Sequence, residues 1–274
     1  MTNLNELKKQ YENIPIPDEL QATVLETLRP KRKRYVRYLG LSAVAAASIF
    51  VGSFTMSPSL ADSLTKVPLV SNIVNVFSVT DIQREDEHLE VAMNRAVIED
   101  VAHKDFEDVL NKKYKEENKV LFDKMTPTIE EGGRFSLQRD VSVITDSPNV
   151  IAIQRMTTIT QASAAQSIAI DNIDPINEWV ITLPSLFKDE RYIRVISDYI
   201  ASQIQQAGPD AMYFTDQDGF TEINAHQTFA ITDDGKLVIY FDEYEVAAGA
   251  AGIVKFIIPT EVLQPILASD YYIH

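Results

Sequence analysis

Residues 228–242 read TFAITDDGKLVIYFD. The Asp233-Asp234-Gly235 run is a strong reversal signal, because glycine enters the left-handed conformation that a tight hairpin requires. Phe229 and Ile231 before the turn alternate with period two, as do Leu237, Ile239 and Phe241 after it. The stretch therefore predicts a half-buried hairpin with arms at 228–232 and 236–242. A third strand is expected at 253–258, ended by Pro259, with a short helix over 260–267.

Helices and further strands lie upstream. Tyr192, Val195, Ile196, Tyr199 and Ile200 recur at helical spacing, so 189–206 predicts a helix. A strand is expected at 178–183. Segments 134–146 and 149–162 read as a strand pair joined near Ser147-Pro148-Asn149. Phe135, Leu137, Val141 and Val143 take the apolar positions of one arm, Ile151 and Ile153 those of the other. A helix is expected at 104–125, with Phe106, Leu110, Tyr114 and Leu121 as its apolar contacts, and Gly132-Gly133 breaks the pattern after it. Helices interleaved with hairpins predict an α+β fold, an antiparallel sheet with packed helices.

The N-terminal part has a different character. Lys31-Arg32-Lys33-Arg34 and Arg37 precede YLGLSAVAAASIFVGSFTM at 38–56, 19 residues without a charge. As a helix this run spans roughly 28 Å, close to the ~30 Å hydrocarbon layer. The basic cluster before it places the N-terminus inside the cell, with Tyr35 and Tyr38 at the interface. A cleaved secretory signal has a much shorter leading region than these 37 residues. A buried soluble helix would leave the cations without a purpose. Ser48 and Gly52 are spaced to seat a partner helix or to let the span unwind. Pro58 stops the helix. Ser59-Leu60-Ala61 then offers small residues at the −3 and −1 positions of a signal-peptidase site, with the cut before Asp62; a short polar linker is the other reading. Val67, Leu69, Val70, Ile73, Val74, Val76 and Phe77 form an apolar juxtamembrane stretch expected to pack on the folded domain. The expected organisation is a cytoplasmic segment at 1–37, a transmembrane helix at 38–56, a juxtamembrane segment at 57–80 and an extracellular domain at 81–274.

Two short amphipathic helices fit the cytoplasmic segment. Leu4, Leu7 and Tyr11 share one face; Leu20, Val24, Leu25 and Leu28 share another, with Pro15 and Pro17 between the helices and Pro30 after the second. Neither stripe can build a core alone. Each either docks into a partner's groove or lies on the membrane surface.

Composition narrows the function. The 274 residues are 45% hydrophobic and 9% aromatic, enough for a packed core, and contain no cysteine, which excludes disulfides and thiolate chemistry. The net charge of −15 is uneven. Residues 1–37 hold eight Lys/Arg against five Asp/Glu, while the chain after residue 56 holds 17 against 35, or −18. So acidic a domain disfavours nucleic acid; it either attracts a cationic partner or is simply soluble. His88, His103, His226 and His274 lack metal-ligand spacing, and no phosphate-binding loop or nucleophile elbow occurs. Gly249-Ala250-Ala251-Gly252 reads as a permissive loop and Asp216-Gln217-Asp218-Gly219 as a turn. The sequence predicts no enzyme, no cofactor and no metal site.

Several segments together resemble the sigma-V-type, RsiV-like anti-sigma factors. They are ITLPSLFK at 181–188, the following helix, GKLVIYFDEYEVA at 235–247 and the stretch from Gly252 to Pro259. The opening is similar too, in its Leu-x-x-x-Tyr-x-Asn helix, IPDEL at 16–20, basic cluster, apolar span and SLTKVPLV at 63–70. The resemblance covers nearly the whole chain, and FDEYEVA at 241–247 is its most specific part. It implies a cytoplasmic segment that holds an extracytoplasmic-function sigma factor, one membrane helix, and an outer sensor domain that binds lysozyme. Ligand binding would expose the signal-peptidase site, and a site-2 protease would then cut within the membrane. On that reading Leu4, Leu7, Tyr11, Leu20, Val24 and Leu28 hold sigma, Ser59, Ala61 and Asp62 form the cut, and Tyr244, Ala248, Gly249 and Ala250 meet the ligand. The family's pattern after FDxYEVA continues Pro-Gly-Tyr-x-Gly, but alanines stand here at 248 and 250. Loss of a tyrosine anchor implies weaker lysozyme recognition. The alternative is a membrane-tethered ligand- or wall-binding domain with no sigma partner.

Overall fold

The computed structural model describes residues 75–130, 134–208, 211–215 and 219–274. The cytoplasmic stripes, the 38–56 span, the cut site and Gly132-Gly133 lie outside these residues, as do positions 216–218.

Among the described residues the first element is β1 (Asn75–Glu85), which starts inside the stretch read as juxtamembrane and spans the 80/81 boundary. Val76 packs into the core, whereas Phe77 is exposed. β2 (Leu89–Glu99) returns antiparallel to β1 through a turn in which Asp86 Oδ1 accepts the amides of His88 and Leu89 at 2.8 and 2.9 Å. α1 (Lys104–Glu130) then crosses over to β3 (Phe135–Asp146), which runs parallel to β2. A parallel pair needs such a crossover, and this pair departs from the antiparallel expectation. β4 (Ile151–Thr160), β5 (Ala164–Asp174) and β6 (Trp179–Ile181) complete an otherwise antiparallel six-stranded sheet in chain order.

α1 outruns its expected end by five residues and passes through Pro127. Pro127 has no amide to donate, but Thr126 Oγ1 bonds the Phe122 carbonyl at 3.0 Å beside it. Val143, expected inside, is 40% exposed, because a bulge between Val143 and Thr145 shifts the register against β4.

The second half begins with α2 (Arg191–Ala207), which buries Tyr192, Ile196 and Ile200 as its spacing predicts. β7 (Phe229–Ile231), β8 (Leu237–Phe241) and β9 (Val254–Ile258) form an antiparallel three-stranded sheet, followed by α3 (Thr260–Leu263), half the length expected. The hairpin is where the sequence places it. It is buried on both faces rather than one: Ala230 and Val238, opposite each other and on the other face from Ile231, are also buried. Asn172 of β5 seals the outer edge of β7, donating to the Phe229 carbonyl and accepting from the Ile231 amide at 2.9 and 3.0 Å. A side chain thus takes the place of a neighbouring strand and joins the two sheets. At the hairpin turn Gly235 has φ 69°, and a Cβ there would sit 2.6 Å from the His274 ring. The C-terminus is held on this turn by Lys236 Nζ, which donates to the His274 carbonyl at 2.8 Å.

α1 meets the large sheet through two apolar zones, Leu110 and Tyr114 on Ala96, Ile98 and Ile153, and Leu121 and Met125 on Val91, Met93 and Leu137. Each buried Leu, Ile, Val or Met among them contributes about 1.5–3 kcal/mol by leaving water. Charge fills the space between. Lys113 Nζ donates to both Asp171 oxygens at 2.7 Å, and Arg155 Nη1 to Asp171 Oδ2 at 3.0 Å. Arg139 Nη2 donates to Glu117 Oε2 at 3.0 Å, and Arg155 Nε lies 3.1 Å from the same oxygen. The Arg155 guanidinium also stacks 4.9 Å over the Tyr114 ring. Three cations and two carboxylates are thereby packed together, with Arg139, Arg155 and Asp171 buried and Lys113 and Glu117 partly so.

Candidate functional site

β8 ends at Phe241, whose ring is wedged edge-on between Phe220 and Phe256. The chain then reverses: the Glu245 amide donates to the Asp242 carbonyl at 3.0 Å, with Tyr244 left-handed at φ 67°. That conformation costs a non-glycine residue about 1–2 kcal/mol. Val246 and Ala247 go into the core. They also pair with an upstream segment, since the Phe214 amide donates to the Val246 carbonyl at 3.0 Å and the Ala248 amide to the Met212 carbonyl at 2.9 Å. Gly249–Ala251 form one 3-10 turn, closed by the Ala251 amide on the Ala248 carbonyl at 2.9 Å.

Tyr244 closes the loop on itself. Its ring lies so near Gly249 that an added Cβ would fall 2.2 Å from Cζ. Any larger residue at 249 would have to displace the ring. Tyr244, Ala248, Gly249 and Ala250, read as one ligand-binding group, are therefore brought together in a single turn. Ala250 is exposed; the other three are half-buried.

Three carboxylates rim this turn, and the sequence did not single them out. The Gln166 amide donates to Glu243 Oε2 and the Ile168 amide to Asp242 Oδ1, both at 2.8 Å, which ties the turn to the edge of β5. Glu245 Oε2 accepts the Asp242 amide at 2.7 Å. Burial pushes the Asp242 carboxyl up to about 7, against the Ile168 bond and with help from the Glu245 charge. Burial raises Glu243 and Glu245 as well. The signal was present as three acids in four residues, but only the fold shows that they crowd.

The sign of the pH effect follows from this shift. A carboxyl whose folded pKa is raised stabilises fully below its unfolded pKa, and that contribution is lost as pH rises through the folded one. Asp242→Asn keeps the acceptor for Ile168 and cannot ionise. The variant is expected to match the wild type near pH 4 and to exceed it by on the order of 2–4 kcal/mol near pH 8. Urea denaturation at both pH values checks this, and a variant no more stable than wild type at the higher pH contradicts it.

The proposed cut residues Ser59, Ala61 and Asp62 and the sigma-facing residues from Leu4 to Leu28 are outside the described residues. Among the described residues no group of three or more His, Cys, Asp or Glu is arranged to hold a metal ion.

Residues 184–261 match a family described as Protein of unknown function (DUF3298), and the carboxylate-rimmed turn falls within the match. A crystal structure of a DUF3298 family member from Bacteroides fragilis shares the fold, with a TM-score of 0.55 at 16% identity over 73% of this chain and 95% of that one. The anti-sigma-V factor RsiV of Bacillus subtilis (strain 168) is 36% identical over 280 residues, covering 98% of this chain and 98% of that protein. The α+β fold, the matched turn and an identity that runs from end to end place this chain in the family of the anti-sigma-V factor RsiV.

Proposed function

We propose that this chain is a membrane-anchored anti-sigma factor that sequesters an extracytoplasmic-function sigma factor and releases it by regulated proteolysis. The observation that carries the reading is the match to the Bacillus subtilis anti-sigma factor, which reaches through both N- and C-terminal parts rather than the folded domain alone. Residues 1–37 hold sigma through Leu4, Leu7, Tyr11, Leu20, Val24 and Leu28. Residues 38–56 cross the membrane with the N-terminus in the cytoplasm. Signal peptidase cuts between Ala61 and Asp62, with Ser59 at the −3 position, and a site-2 protease then cuts within the span.

The outer domain is the sensor and has no catalytic part in this scheme. Its ligand is a basic, lysozyme-like protein, met at the turn that carries Tyr244, Ala248, Gly249 and Ala250. The −18 charge after residue 56 favours such a partner.

Co-expression of residues 1–37 with the candidate sigma factor tests the cytoplasmic half. A complex that survives purification is expected, and Leu20→Asp should weaken it at least about tenfold by charging the centre of an apolar contact. Absence of any complex would favour a tethered binding domain without a sigma partner.

A further inference from the structure

Met212 stands out beside the turn. It is left-handed at φ 61° and 51% exposed, although it belongs to neither glycine nor the small polar residues that tolerate this conformation. Its backbone is fixed: the Met212 carbonyl takes the Ala248 amide, and the next residue, Tyr213, bridges to Ala247 and stacks on Phe256 at 6.0 Å. Tyr213 turns into the core, and the left-handed residue before it presents its side chain to water. Strain of this kind persists where surrounding structure enforces it, and it clusters at ligand clamps.

The neighbouring positions explain what such a side chain adds. Ala248 and Ala250 offer only methyl groups, and the Tyr244 ring is committed to Gly249. The turn would otherwise present little apolar surface at its centre. Binding energy at protein interfaces concentrates in a few long side chains ringed by polar groups. A flexible, polarisable thioether suits that role. The part of the chain that carries Met212 is strongly acidic, −18 after residue 56, so the complementary surface is cationic.

We infer that Met212 is the apolar anchor by which this sensor grips a basic protein, its backbone-paired position beside Ala248 doing the work of the larger side chains missing from the turn. This rests on the reading of the outer domain as the sensor of a basic ligand, and it names the residue that sets affinity there. The partner is a folded protein of net positive charge with an apolar pocket or cleft at the contact.

The test uses the full-length chain in detergent, with lysozyme and a second basic protein, cytochrome c, as probes in titration calorimetry. Met212→Gly suits the left-handed backbone and removes only the side chain, so thermal unfolding should be unchanged or shifted upward. Affinity for the better-binding probe should fall at least about tenfold, and Met212→Leu should restore it to within a few-fold. If wild type binds a probe and Met212→Gly binds it equally well, the anchor role is overturned while the basic-ligand reading stands. If wild type binds neither probe, both fall. A Met212→Gly chain that loses thermal stability in step with affinity would also overturn the proposal, because it would make Met212 a structural residue.

Discussion

Asp171→Ala is expected to destabilise the folded domain by about 3–5 kcal/mol, the cost of leaving buried cations without their partner. Asp171 comes from β5 and takes both Lys113 of α1 and Arg155 of β4. Arg155 is buried to 3% exposure, so it cannot turn to solvent when the carboxylate goes. Three cations would then face Glu117 alone. The balance of the cluster makes a second, sharper expectation. Arg155→Met leaves Lys113 and Arg139 opposite Glu117 and Asp171, two against two, and should cost clearly less than Asp171→Ala. Burial raises the Asp171 carboxyl, but Arg155 and Lys113 outweigh it and hold the group well below the usual carboxylate range. A carboxylate depressed in this way contributes its stability above the unfolded pKa of about 3.9 and loses it only as pH falls below that. The gap between wild type and Asp171→Ala should therefore stay constant from neutrality down to about pH 4–5 and narrow in stronger acid. Urea denaturation across that range measures it. An Arg155→Met variant less stable than Asp171→Ala would show that the count of charges does not govern the cluster.

Ala61→Trp is expected to abolish release of the outer domain. Signal peptidase accepts small side chains at the −1 and −3 positions, and an indole cannot enter a pocket that fits a methyl group. Shedding into the medium should drop at least about tenfold, toward nothing measurable, while the amount of intact chain in the membrane rises. Ser59→Trp should act in the same direction. Ala61→Ser, which keeps the residue small, should be cut normally. Immunoblots of membrane and medium fractions read all three. Undiminished shedding from the Ala61→Trp chain would move the cut elsewhere and remove Ser59, Ala61 and Asp62 from the account.

Legibility differed sharply between the halves of the domain. The 228–242 hairpin could be read because its apolar alternation is unbroken and Gly235 marks the reversal. Helix α2 could be read because its Tyr192, Ile196 and Ile200 recur every four residues. β1 and β2 were hidden by polar residues at positions where strands usually point inward. Asp81 and Arg95 pair at 3.3 Å, and Asn118 of α1 donates to Asp81 and to the Asn94 carbonyl, both at 3.1 Å. Those groups face one another across separate elements, an arrangement no single strand reveals. Arg139, Arg155 and Asp171 hid the ionic cluster in the same way. β5 went unread because AAQS at 164–167 carries little strand propensity, and pairing with β4 decides its conformation. At the turn, Tyr244, Ala248, Gly249 and Ala250 were found by likeness to a family, since none is chemically conspicuous. Met212 could not have been found at all, because its place depends on a backbone pairing across more than thirty residues.

The claim on which the rest depends is that an event outside the cell shortens this chain inside it. An antibody to the cytoplasmic segment, used on living cells with and without added lysozyme, tests that directly. Full-length chain should be lost within minutes of exposure and replaced by a membrane-sized N-terminal fragment. Full-length chain that persists unchanged beside lysozyme would contradict it.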